Sequence, residues 1–131
     1  MTAQATHADL LANTEAFVKA YNDLDYDAYE RLLAPDLKFF HHNQGHAFTK
    51  REDLVAMVRT FAEEYLPDRR LGDAIRVTAI GNVVYREQVW TGTAAVDIPG
   101  FGKKGEKLLL QLCTVLIFDD NGIIVEYHDY G

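Results

Sequence analysis

Residues 107–130 read KLLLQLCTVLIFDDNGIIVEYHDY, and the order of events within them decides the fold. An apolar-rich run, Lys107 to Phe118, meets the turn residues Asp119-Asp120-Asn121-Gly122 and then a second run that ends at Tyr130. Two such runs joined by a short Asn-Gly turn make an antiparallel hairpin. Side chains alternate between the two faces of a strand, so Ile123, Val125, Tyr127 and Asp129 are expected to share one face. Burying an apolar face that finishes in a carboxylate is costly, because an unpaired charge away from water is strongly disfavoured. Groups in such surroundings concentrate at functional sites. Asp129 is therefore the first candidate for a catalytic base.

Upstream of this hairpin the chain also reads as strands. Ile75, Val77 and Ala79 alternate with Arg76 and Thr78, and a Gly81-Asn82 turn leads into a long strand from Val83 to about Val96. Gly100-x-Gly102-x-x-Gly105 has the spacing of a dinucleotide fingerprint, but Ile98-Pro99 precedes it and a strand follows. Lacking the strand-to-helix setting that fingerprint needs, it is a hairpin connection at a pocket rim. Before Gly72 the period is helical. Leu10, Leu11, Thr14, Phe17, Val18 and Tyr21 form one stripe, opened by a Thr6-x-x-Asp9 cap. A second helix spans Asp25 to Leu33 and is stopped by Pro35, and a strand covers Leu37 to Asn43. A third helix is announced by the capping box Thr49-x-x-Glu52, carries Leu54, Val55, Val58, Phe61, Ala62 and Tyr65, and ends at Pro67. Residues 1–131 thus form one α+β domain, three helices followed by a mostly antiparallel sheet.

Composition narrows the partners. A net charge of −7, with no basic block beyond Arg69-Arg70 and Lys103-Lys104, argues against nucleic acid and anionic membrane. The early charges Asp9, Glu15 and Lys19 interrupt any signal-peptide or membrane-span pattern, and a cytoplasmic protein is expected. One cysteine, Cys113, allows no internal disulfide. His41, His42 and His46 cluster, but no His-x-His or Glu-x-x-His spacing appears, and no metal or other cofactor is expected.

The joints of the pattern are specific: Ala20-Tyr21-Asn22 through Asp25, Leu32-Leu33-Ala34-Pro35-Asp36, Thr91-Gly92-Thr93, Asp119-Asp120-Asn121-Gly122-Ile123 and Tyr127-His128-Asp129-Tyr130. In this order they resemble the nuclear transport factor 2-like superfamily, closest to its SnoaL-like polyketide cyclases and limonene epoxide hydrolases. The resemblance spans nearly the whole chain and implies a cone-shaped α+β barrel, with three N-terminal helices on a strongly curved sheet around one apolar pocket. It places Asp129 on the general base of the hydrolases, His41 and Asn43 on a polar pair of the first strand, and Tyr85 and Glu87 on a second pair. The hydrolases carry Tyr, Arg and Asp where this chain has His41, Tyr85 and Glu87. What carries over is two carboxylates facing one cavity.

Strand parity yields the same residues. If Lys38 faces water, then Leu37, Phe39, His41 and Asn43 face inward. His41 and His42, being adjacent, cannot both reach the pocket, and this parity favours His41. On the long strand Tyr85, Glu87 and Val89 share one face, and Arg86, Gln88 and Trp90 share the other. With Asp129 and Glu87 in one cavity, repulsion would keep one protonated and the other ionised. The expected protein is a cofactor-independent lyase, isomerase, cyclase or hydrolase acting on an apolar, ring-containing small molecule. Asp129, Glu87 and His41 would be catalytic, with Asn43, Tyr85, His42 and Tyr21 binding substrate. The alternative is a non-catalytic small-molecule-binding or protein-interaction domain, in which Glu87 and Asp129 would both be ion-paired at the surface, Glu87 with Arg76. Arg86, Gln88 and Trp90, with Gln111, Cys113, Val115 and Ile117 on the next strand, are expected to form an outer face through which a homodimer assembles.

Overall fold

The computed structural model describes residues 4–131. Helix α1 (His7–Asn22) begins with the expected capping box: Asp9 N–H donates to Thr6 Oγ1, and Thr6 N–H to the Asp9 carboxylate. Its inner face is Leu10, Thr14, Phe17, Val18 and Ala20. Asp25 caps the short α2 (Tyr26–Arg31) by accepting from Ala28 N–H. The chain then turns directly to strand, so β1 (Leu33–His41) starts well before the expected Leu37 and contains Pro35. Pro35 is tolerated because β1 and its neighbour slip out of register between Leu33 and Lys38, where a missing N–H breaks no ladder bond. A short β2 (His46–Phe48), not foreseen from the pattern, folds back on β1 with Phe48 opposite Phe39.

Helix α3 (Arg51–Thr60) starts without the expected capping box. Lys50, extended at φ −135°, is its N-cap residue, so Thr49 lies one residue too early and no side chain caps the helix. After Thr60 the helix widens into a π turn, Phe61–Tyr65, closed by Leu66 N–H donating to Phe61 O, and Pro67 follows. Such turns hold an extra residue and recur at functional sites.

The strands β3 (Arg70–Leu71), β4 (Arg76–Ile80), β5 (Val83–Thr93), β6 (Lys107–Phe118) and β7 (Ile124–Tyr130) complete an open seven-stranded sheet. Its order is β2-β1-β7-β6-β5-β3, with β4 also on β5. Every pairing is antiparallel except β1 with β7. The result is the α+β cone expected, with a sheet that does not close. Its centre is aromatic: Phe17 stacks on Tyr29 at 4.7 Å, and Tyr127 meets Phe17 and Phe39 edge-on at 5.3 and 4.7 Å. Each fully buried side chain of this kind contributes about 1.5–3 kcal/mol.

Two face assignments differ from expectation. Gly81, at φ +59°, closes the β4–β5 turn so that Ile80 faces Val83, which sets Arg76 opposite Glu87. On β5 it is Val84, Arg86, Gln88 and Trp90 that are buried, while Tyr85 and Glu87 face the opposite side. On β7 a register shift against β6 puts Ile124 inside, so Ile123 and Val125 leave the face that Tyr127 and Asp129 share. Gln111, Cys113, Val115 and Ile117 point outward, as expected, but without Arg86, Gln88 and Trp90.

Candidate active site

Asp129 sits on β7 with His41 of β1 on one side and Thr114 of β6 on the other, each its register partner. It is only 5% exposed, and both carboxylate oxygens are engaged. Thr114 Oγ1 donates to Oδ1 at 2.6 Å, and Tyr127 Oη donates to Oδ2 at 2.8 Å. Burial pushes the carboxyl from 3.8 up to about 6, and these two donors limit the rise. A carboxyl poised near neutrality can both take a proton and return it.

Behind Thr114 runs a chain of side chains whose direction its ends dictate. Arg86, 3% exposed, can only donate. Its Nη1 donates to Gln88 Oε1 at 2.9 Å, which turns the amide so that Nε2 donates to Thr114 Oγ1 at 2.9 Å. The threonine hydroxyl, having accepted, gives its own proton to Asp129. The other edge of the Arg86 guanidinium holds Glu15 of α1, with Nε and Nη2 each 3.2 Å from a carboxylate oxygen. With donors fixed on both of its oxygens, Asp129 has only its remaining lone pairs with which to receive a proton.

In front of Asp129 lies a cavity of about 390 Å³ between sheet and α3. Small-molecule sites span about 300–1,000 Å³. Phe39, Leu54, Phe61, Trp90, Phe101 and Leu110 make its wall mainly apolar, and Gly100 of the β5–β6 connection stands at its edge. The polar groups on it are few. Tyr21 Oη accepts from Trp90 Nε1 at 2.9 Å, leaving its own hydroxyl proton free to donate. Burial raises the Tyr21 phenol above its ordinary value, so it stays protonated. Burial, and then the nearby His46 and His42, lower His41 to about 4, so His41 is a neutral imidazole at pH 7. Its Nδ1 is buried without a partner among the described residues.

Of the residues singled out from the sequence, Asp129, His41 and Tyr21 meet at this cavity. The others lie elsewhere. Asn43 is exposed in the turn after β1 and accepts from Gly131 N–H at 3.0 Å. His42 is on the outer face, its Nε2 3.0 Å from His128 Nδ1 and its ring stacked on Tyr130 at 4.3 Å. Tyr85 is 40% exposed. Glu87 is held by the Nε and Nη2 of Arg76, which keeps its carboxyl below the usual range. The two-carboxylate cavity is therefore corrected to a single carboxylate. The signal for this was in the chain, since the Gly81-Asn82 turn sets Arg76 opposite Glu87.

The SnoaL-like domain family profile matches residues 14–127. This chain belongs to the SnoaL-like domain family. Solved structures agree in fold. A candidate polyketide cyclase from Xanthomonas campestris pv. campestris is 24% identical over 97% of this chain and 93% of its own, with a TM-score of 0.83. AclR, a candidate hydroxylase from Streptomyces galilaeus, is 22% identical over 95% of this chain and 79% of its own, with a TM-score of 0.77. An LEH-like epoxide hydrolase of M. tuberculosis is 19% identical over 95% and 83%, with a TM-score of 0.73. No curated protein sequence matches significantly.

In this SnoaL-like domain the inward pair on β5 is Arg86 and Gln88, one residue along from the pair that the resemblance to the hydrolases had suggested. On the inner face an amide, Gln88, thus stands where a carboxylate, Glu87, was expected. An amide can orient a neighbour but cannot deliver a proton as a carboxylic acid does. Gln88, Thr114, Trp90 and Arg69 were missed because their roles depend on partners far along the chain. Among the described residues no helix is long and apolar enough to cross a membrane.

Proposed function

We propose that this SnoaL-like domain is a cofactor-independent enzyme in which Asp129 takes a proton from carbon in an apolar, ring-containing small molecule. One observation carries this reading. A single buried carboxylate, raised to about 6, has both oxygens oriented by donors and adjoins an aromatic-walled cavity. Abstraction next to a carbonyl leaves the C–H electron pair as an enolate, and the developing oxyanion needs a donor. The free Tyr21 hydroxyl is suited to that, with neutral His41 as a second polar contact. The proton on Asp129 then returns to another carbon, as in an isomerisation, or to a leaving oxygen, as in an elimination, while the enolate can close a ring. With Asp129 the one carboxylate among the described residues lining the cavity, the site favours these base-led reactions over epoxide opening. The candidate cyclases among its structural neighbours fit this reading better than the epoxide hydrolase does. General-base action of this kind contributes about 10²–10⁴-fold.

The outer sheet face, with Tyr85, Leu109 and Tyr130 exposed beside Val115 and Ile117, is proposed to join two copies of the chain. The chemistry is tested by hydrogen–deuterium exchange into a panel of cyclic ketones in D₂O, read by mass spectrometry. Asp129→Asn should slow enzyme-dependent exchange by about 10²-fold or more, while Glu87→Gln, on the outer face, should leave it unchanged. Full exchange by folded Asp129→Asn protein would refute the assignment. Ligands that bind tightly with no exchange across the panel would leave a small-molecule-binding domain.

A further inference from the structure

Arg69 is a cation built into the cavity wall with no counter-ion among the described residues. It follows Pro67 at the entry to β3, is 4% exposed, and lines the same cavity as Asp129. Its guanidinium lies 3.7 Å over the Tyr21 ring. Of the five N–H donors a guanidinium carries, one reaches Tyr21 O at 2.9 Å and another reaches Val58 O at a long 3.4 Å. The Nε is buried with no acceptor among the described residues.

Two other arginines show what that edge is made for. In Arg76 and in Arg86 the Nε and Nη2 pair takes a carboxylate, Glu87 and Glu15 respectively. This planar fork matches a carboxylate with two parallel bonds. Arg69 carries the same edge, with Nη2 only on the long bond to Val58 O and Nε without an acceptor, and among the described residues no carboxylate forms an ion pair with it. Asp129 is not its partner either: its oxygens accept from Thr114 and Tyr127, and among the described residues it forms no ion pair with Arg69. A buried guanidinium costs desolvation that an anion offsets. Tyr21 lies between the two groups, and its phenol feels Arg69 and Asp129 with opposite sign.

We propose that Arg69 receives a carboxylate on the ring substrate, so that the cavity selects ring carboxylates over neutral rings of the same shape. The substrate then spans the cavity, its acidic carbon toward Asp129 and its carboxylate on Arg69. This rests on the cavity being the substrate site, but not on Asp129 acting as a base.

The test is calorimetric titration of the full chain at pH 8 with 2-naphthoate and, separately, 2-naphthamide, which differ in charge and little in shape. Naphthoate should bind at least about tenfold more tightly, since a charge-assisted bidentate pair is roughly twice as strong as neutral hydrogen bonds. Arg69→Gln should abolish the preference, and Arg69→Lys, which keeps the charge but loses the fork, should keep part of it. Asp129→Asn should retain it, and in that variant a retained preference with lost exchange separates this proposal from the proton-abstraction reading. Equal binding of the two probes to the parent protein, or no binding of either, overturns the proposal whether or not the arginine variants fold. A preference that survives Arg69→Gln overturns it too.

Discussion

Replacing Asp129 by asparagine is expected to stabilise the folded chain at pH 8 even as it removes the proposed base. Burial places the Asp129 carboxyl at about 6 against 3.8 for the free group. Between those values the folded chain still holds a proton that the unfolded chain has released. Stability therefore falls as pH rises through that window, and above it a constant penalty remains. A shift of about two pH units at about 1.36 kcal/mol each amounts to about 3 kcal/mol. Asparagine carries no charge, and it keeps both neighbours. Its Oδ1 can accept from Thr114, and its Nδ2 can donate to Tyr127 once that hydroxyl turns. Urea unfolding of both proteins from pH 4 to pH 8, followed by far-UV circular dichroism, measures the difference directly. The variant should gain up to about 3 kcal/mol at pH 8, and the gain should fade as the pH approaches 4. A parent protein at least as stable as the variant at pH 8, or a difference independent of pH, would refute the claim that Asp129 is ionised at a cost. A gain of that size in exchange for lost turnover is what a strained functional group predicts.

Thr114→Val removes the donor to Asp129 Oδ1 at nearly constant shape. A hydrogen bond to a charged group is worth about 1.5–3 kcal/mol, so the acid limb of the pH–rate profile should move up by about 1–2 pH units, and an unchanged or lower midpoint would refute the role given to Thr114. The variant should also lose stability in urea titration, because Gln88 Nε2 is left without its acceptor. For assembly, light scattering should show a dimer for the parent chain and a monomer for a Tyr85→Glu, Leu109→Lys double variant of the outer face. A monomeric parent at the same concentration would remove the proposed interface.

The relay from Glu15 to Asp129 connects fold and chemistry. Arg86 ties helix α1 to the middle of the sheet and at the same time orients the amide that orients Thr114. Without the relay the buried Asp129 carboxylate would keep only its Tyr127 donor. The arrangement also shows why counting carboxylates in the sequence misleads. Glu87 is one of twenty acidic residues, and its bidentate pair with Arg76 settles its role on the outer face.

What the chain determined by itself was local. Capping residues, apolar periods and turn glycines act within a few residues of themselves. The Thr6–Asp9 box, the start of the second helix near Asp25, the Gly81 and Gly122 turns and the helix-then-strand order were therefore all legible, and with them the cone. Asp129 was legible too, as a carboxylate two residues beyond Tyr127 on a strand that buries both. The tertiary structure decided which face of β5 turned inward. Both of its faces mix apolar and polar side chains, so alternation alone does not choose between Tyr85 with Glu87 and Arg86 with Gln88. The choice fell to partners on neighbouring elements, one distant in sequence and one across the hairpin. Glu15 on α1 makes a buried Arg86 affordable, and Arg76 across the hairpin satisfies Glu87 outside. Arg69 was invisible for the same reason. A basic residue in a connection reads as solvated, and only the packing of α1, α3 and β3 around it leaves a charged fork in the wall of an apolar cavity.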